Sequence, residues 1–115
     1  MNPVSAALIT KSLDGLSMRL DVTAANIANA NSRTYRPSLV TFEQSLRVAA
    51  TRGIDAINVV RPRVEAMPAA RFGDEPRIDL DLDTAAATAG RYSALIEMLG
   101  REMEIARTAI RGGQQ

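Results

Sequence analysis

"AALITKSLDGLSMRLDVTAANIANA", residues 6–30, decides how this chain is read. Ala6, Ile9, Leu13, Leu16, Leu20, Thr23, Ile27 and Ala30 recur at alternating steps of three and four, an a/d heptad seam held for more than three repeats. Asn2 is suited to cap a helix and Pro3 to its first position. The spacing therefore predicts a helix over residues 3–30, roughly 40 Å long at ~1.5 Å per residue. Gly15 is its weak point, costing about 1 kcal/mol relative to alanine.

The end of the chain repeats the pattern. Ala85, Ala89, Tyr92, Ile96, Leu99, Met103, Ala106 and Ile110 are again spaced by fours and threes, which predicts a second helix of matching length. Asp83 stands where an N-cap belongs, with Asp79 and Asp81 adding negative charge near the positive helix end. Before it, Ile78, Leu80 and Leu82 alternate with the aspartates and read as a short extended approach. Glu97 and Arg101 form an i,i+4 pair, Arg107 and Arg111 sit in the last turn, and Gly112 and Gly113 end the helix.

The middle differs. Every proline except Pro3 lies within residues 37–76. "TFEQSLRVAATRG", residues 41–53, offers a capping box of Thr41 with Gln44, an apolar line through Phe42, Leu46 and Ala49, and a closing Gly53, which predicts a short helix over about 42–52. "INVVRPRVEAMP", residues 57–68, is β-branched but broken by Pro62 and Pro68, and reads as extended chain or a weak edge strand. "RFGDEPR", residues 71–77, reads as exposed loop.

The expected fold is mainly α: long N- and C-terminal helices paired as a coiled-coil hairpin, with a short helix and an irregular or extended segment between them. The chain is one structural unit, comprising an N-terminal heptad helix (1–31), a central region (32–77) and a C-terminal heptad helix with its extended approach (78–113). Val4, Leu8 and Met18 on the first helix, and Leu95, Met98 and Ile105 on the second, fall off the seams. Each fully buried aliphatic side chain is worth about 1.5–3 kcal/mol, so these positions call for another surface. The middle looks too polar to cover both helices, so neighbouring subunits are expected to do so. The alternative is a three-helix monomer in which the short helix folds back.

Composition limits the chemistry. Apolar residues make up 46% of the 115 and aromatics 3%, with no Trp, His or Cys. That excludes disulfides and thiolate or imidazole catalysis, and the single Lys11, mid-helix beside the seam, is expected to be solvated or snorkelling. No catalytic set, cofactor site or metal site is expected. Asp79, Asp81 and Asp83 have the spacing of a calcium loop, but Thr84 replaces its turn glycine and Gly90 its bidentate glutamate. The net charge of +1 is unevenly spread, with eight basic and five acidic residues in 32–77 and four basic and six acidic in 78–115. No dense Lys/Arg cluster occurs, so nucleic acid is not expected as a partner; such a role would fall to Arg33, Arg36, Arg47 and Arg52. No small-molecule substrate is expected either. No run approaches the roughly eighteen apolar residues that span a bilayer, and no secretory signal is evident.

Asn26, Asn29 and Asn31 crowd the end of the first helix. On the heptad frame Asn26 and Asn31 flank the seam and Asn29 points away. Two readings stay open: a helix terminus, since asparagine tolerates the left-handed conformation, or amides that fix register between subunits.

"ANIANANSRTY", residues 25–35, resembles the N-terminal signature of bacterial flagellar rod, hook and hook-associated proteins, N-N-I-A-N-x-N-T-x-G-Y. "RYSALIEMLGREMEIARTAIRGG", residues 91–113, resembles the C-terminal end of the proximal rod proteins of the flagellar basal body, and "RIDLDLD", residues 77–83, their V-D-L-x-x-E segment. By position, the signature maps to Asn26, Ile27, Ala28, Asn29, Asn31 and Tyr35. Ala25 replaces the first asparagine, and Ser32, Arg33 and Thr34 replace the family's T-P-G turn. The lack of a large central insertion sets aside the hook and distal rod types.

The resemblance implies a non-enzymatic structural subunit, exported unfolded by the flagellar type III apparatus without signal cleavage. It would assemble helically in the periplasm through its terminal helices and transmit torque as part of a stiff tube. Ile9, Leu13, Leu16, Leu20, Ile27, Tyr92, Ile96, Leu99, Met103 and Ile110 would pack the seams. The implied partners are other copies of the chain, other rod proteins, and FliE at the junction of the MS ring and export gate. The alternative is a soluble helical adaptor or chaperone-like dimer.

Overall fold

The computed structural model describes residues 1–68 and 77–113. The elements run α1 (Pro3–Ala28), β1 (Ser38–Thr41), α2 (Glu43–Ala50), α3 (Ile54–Asn58), β2 (Arg63–Ala66) and α4 (Ile78–Gly113). The chain is mainly helical, its two long terminal helices pack against each other, and the molecule measures 69 × 27 × 15 Å.

α1 begins as expected. The Asn2 side chain accepts from the Ser5 amide at 2.8 Å, Pro3 opens the helix, and Asn29 closes it. α4 departs from expectation in two ways. It starts at Ile78, with the Asp81 amide donating to the Arg77 carbonyl at 3.1 Å, so residues 78–82 are helical and Asp83 lies inside the helix rather than at its cap. Asp79 and Asp81 in the first turn suit the positive helix end, and this outweighs the strand-like alternation of Ile78, Leu80 and Leu82. The helices are also unequal, with 26 residues in α1 and 36 in α4.

The pair is antiparallel: the N-terminal amine of Met1 lies 3.0 Å from Glu102 Oε2. About ten residues of α4 therefore run on past the start of α1, an overhang of roughly 16 Å at ~1.5 Å per residue.

The middle covers more than its composition suggested. Leu16, Val40, Phe42, Leu46, Ala49 and Ile57 form one buried cluster, with Leu8, Met18, Val22, Tyr92 and Leu95 packed around it. The short helix does fold back, onto α1, and brings a second short helix with it. Between α2 and α3, Gly53 adopts φ 105°, a left-handed conformation that costs glycine little. Ile57 of α3 is completely buried. β1 and β2 pair antiparallel, Val40 opposite Val64 and Thr41 opposite Arg63, so the weak edge strand of the central segment finds its partner in "SLVT".

The capping box does not form. Phe42 occupies the N-cap of α2 without a side-chain cap bond, and its ring turns into the core. Glu43 points to α1 instead, where Arg19 grips both its carboxylate oxygens at 2.9 and 2.7 Å, donates to the Val40 carbonyl at 2.7 Å, and lies 5.0 Å over the Phe42 ring. Lys11 is not merely solvated: its Nζ donates to the Val60 carbonyl at 3.1 Å and ties α1 to the chain after α3. The loop expected at residues 71–77 lies, except for Arg77, outside the described residues.

Candidate functional site

The sequence points to two places: the asparagine turn at the end of α1 and the seam between the long helices. In the turn, Asn26 is 3% exposed, inside the protein. Its Nδ2 donates to the Ser38 carbonyl at 2.7 Å, and its Oδ1 accepts from the Ser38 amide at 3.1 Å and the Tyr35 hydroxyl at 3.0 Å. An asparagine amide presents a donor and an acceptor side by side, which matches the N–H and C=O of one extended residue. Asn26 thus pairs with Ser38 as a neighbouring strand would and fixes how the chain returns onto α1.

Asn29 does what a helix terminus needs: its side chain and its backbone N–H both donate to the Ala25 carbonyl, at 2.8 and 3.0 Å. Asn31 and Ala28 are exposed, while Ile27 and Tyr35 are half-buried. The two open readings therefore divide. Asn29 ends the helix, and the buried Asn26 amide is bonded within its own chain. The Ser32-Arg33-Thr34 turn carries a Ser32 Oγ–Thr34 Oγ1 contact of 3.2 Å, and Arg36 closes the far side by donating to the Met67 carbonyl at 3.0 Å.

On α1 the expected seam is covered. Ile9 and Leu16 are buried, as is Thr23, and Leu13, Leu20 and Ile27 are half-buried. On α4 it is rotated. Ala85, Tyr92 and Leu99 turn inward as expected, but Thr88, Leu95 and Glu102 take the alternate inward places, and Ala89 is exposed. Ile96, Met103 and Ile110 are 45%, 53% and 64% exposed. A periodicity of three and four fits either of two adjacent stripes on a helix whose apolar residues spread over more than one face, and the rotation follows from that. Of the off-seam residues, Leu8, Met18 and Leu95 are packed, whereas Val4, Met98 and Ile105 face water.

Charge on α4 is mostly local. Arg77 pairs with Asp79 at 3.3 Å and Arg107 with Glu104 at 3.7 Å, both well exposed and worth little. Burial, with the Asp79 charge beside it, pushes the Asp81 carboxyl above its ordinary range. Asp79, Asp81 and Asp83, two residues apart on a helix, fan out rather than converge. Among the described residues no three such side chains gather to hold a metal ion. Of the arginines considered for nucleic acid, Arg36 and Arg47 donate to groups of their own chain.

Among the described residues, shallow depressions include one of about 390 Å³ between α2 and α3 and one of about 470 Å³ at the start of α1 against Met98 and Glu102. Each is open; Arg52 lines the first, and Glu102 with the Met1 terminal amine lines the second. No described helix is long and apolar enough to cross a membrane.

No protein-family model matches the chain, and no curated protein matches it.

Proposed function

We propose that the chain is a structural subunit of the bacterial flagellar basal-body rod, of the most proximal type, FlgB. The observation that carries this is a pairing: residues matching the rod signature make one hydrogen-bonded turn through Asn26, Tyr35 and Ser38, while the other terminal helix keeps a heptad stripe of large apolar residues in water. The first gives the signature a physical role, since Asn26 and Tyr35 set the angle at which the chain leaves α1. The second is what a subunit completed by its neighbours needs.

The mechanism is assembly. Stacked copies bury the outward faces of α4, close the helices into a tube in the periplasm after type III export, and carry torque along it. Other copies, other rod proteins and FliE at the MS-ring and export-gate junction are the neighbours. No step calls for catalysis or a small-molecule substrate.

The closed core of the single copy favours a second reading, a soluble helical adaptor. Fractionation separates the two. In cells making this chain, the protein is expected with detergent-resistant basal bodies, and a triple Ile96→Ser, Met103→Ser, Ile110→Ser variant is expected to leave that fraction and abolish swimming. A chain found only in the soluble cytosol, or a triple variant that swims normally, would reject the rod.

A further inference from the structure

We infer that free copies of this chain pair with one another antiparallel through the outward face of α4. The inference does not rest on the rod reading. Leu82, Ala89, Ile96, Met103 and Ile110 are all exposed and recur every seven residues, a line of roughly 42 Å at ~1.5 Å per residue. Beside it runs a second line, Ala86, Ser93, Gly100 and Arg107, also exposed. Together they make a complete heptad seam, about 100° around the helix from the face that holds α1 at ~100° per residue. A second helix can therefore dock without displacing the first.

The occupant follows from the residues. One line is mostly large and the other mostly small, with Ala89 and Arg107 exchanging those roles opposite each other, so the face is complementary to itself when the second helix is reversed. Ile110 then lies against the partner's Ala86, Met103 against the partner's Ser93, and Ile96 against the partner's Gly100. A Cβ placed on Gly100 meets nothing within 4 Å in the single copy, so nothing of its own chain covers that position.

Charge selects the same register. Asp83 falls opposite the partner's Arg111 on both sides of the dyad, whereas sliding the helices by one heptad sets Asp83 against the partner's Glu104. A parallel pair would stack Arg107 on the partner's Arg107. Two contacts cut against the pairing: Arg107 carries a charge into the seam opposite the partner's Ala89, and Glu97 meets the partner's Glu97 at the dyad, a conflict of like charges.

That conflict supplies the test. The chain has no cysteine, so Glu97→Cys introduces its sole thiol beside the predicted axis and removes the like-charge contact. Mild oxidation of Glu97→Cys is expected to give a covalent dimer, while Ile110→Cys, about 36 Å from its own copy in this arrangement at ~1.5 Å rise per residue, stays monomeric. In sedimentation equilibrium Ile96→Ser with Met103→Ser should weaken dimerisation at least tenfold, with helicity unchanged because both side chains face water in the single copy. A wild-type chain that stays monomeric to millimolar concentration overturns the proposal. So does cross-linking of Ile110→Cys as readily as Glu97→Cys, which would mean parallel pairing.

Discussion

The Phe42 ring fills the space beside Gly15: a Cβ built on Gly15 would lie 2.6 Å from Phe42 Cγ and closer still to other ring atoms. Helix propensity alone makes Gly15→Ala stabilising by about 1 kcal/mol. The packing reverses the sign, because the ring is locked between α1 and the core and would have to move. Gly15→Ala is expected to destabilise by about 1–3 kcal/mol, the usual cost of overpacking. Gly90, on an open stretch of α4, should show the ordinary gain on the same substitution. Urea melts of the two variants check both signs.

Asn26 carries three hydrogen bonds in a buried site, so its loss leaves the Ser38 amide and carbonyl unpaired. Asn26→Ala is expected to cost about 2–4 kcal/mol, counting about 1–3 for each stranded polar group with partial relaxation. Asn26→Asp should cost a similar amount, since a carboxylate repels the Ser38 carbonyl. Tyr35→Phe removes one bond and should cost about 1 kcal/mol. A double-mutant cycle should show Asn26 and Tyr35 strongly coupled.

Arg19 holds Glu43 by hydrogen bonds and charge, which lowers the Glu43 carboxyl below its ordinary 4.5. Its stabilising contribution is therefore complete above pH 4.5 and is lost as pH falls through the lower folded value. Asp81 acts oppositely: burial and Asp79 raise it above 3.8, so the folded chain gains stability as pH falls through that raised value. Glu43→Gln should flatten the acid limb of the stability curve, by no more than about 1 kcal/mol for a pair half open to water. Asp81→Asn should stabilise at neutral pH and remove the opposing gain. Chemical denaturation from pH 3 to 7 reads both slopes, pH 3 to 7 being roughly the range that brackets carboxylate titration.

The sequence made the long helices legible because capping and heptad spacing are local signals, as Asn2 and Pro3 show. Which stripe of α4 turns inward was not local. Leu95 wins over Ile96, and Thr88 over Ala89, through contact with α1 and the core, and the spacing fits both. β1 went unread because four residues, "SLVT", carry little periodicity, and the pairing with residues 63–66 crosses two helices. α3 was missed because five residues are too few for a helical pattern, although Gly53 marked its start. At the turn, the clustering of asparagines was visible, but the roles separate only in three dimensions. Asn26 faces inward to Ser38, Asn29 caps, and Asn31 is exposed.

Serine substitutions on the outward stripe of α4 should separate folding from association. Ile96→Ser and Ile110→Ser remove side chains already in water, so each should change the unfolding free energy of the single copy by less than about 0.5 kcal/mol, as for surface changes generally. Leu95→Ser, one residue away but packed on the core, should cost about 2–4 kcal/mol. Thermal melts at low protein concentration test the contrast.

The central claim is that one copy hides α1 by itself but leaves α4 to its neighbours. Hydrogen exchange followed across protein concentration tests it most directly. Amides of residues 13–26 should be protected at every concentration, and those of residues 103–113 should exchange rapidly in dilute solution and become protected only as copies associate. Equal, concentration-independent protection of both segments in the most dilute sample would contradict the account.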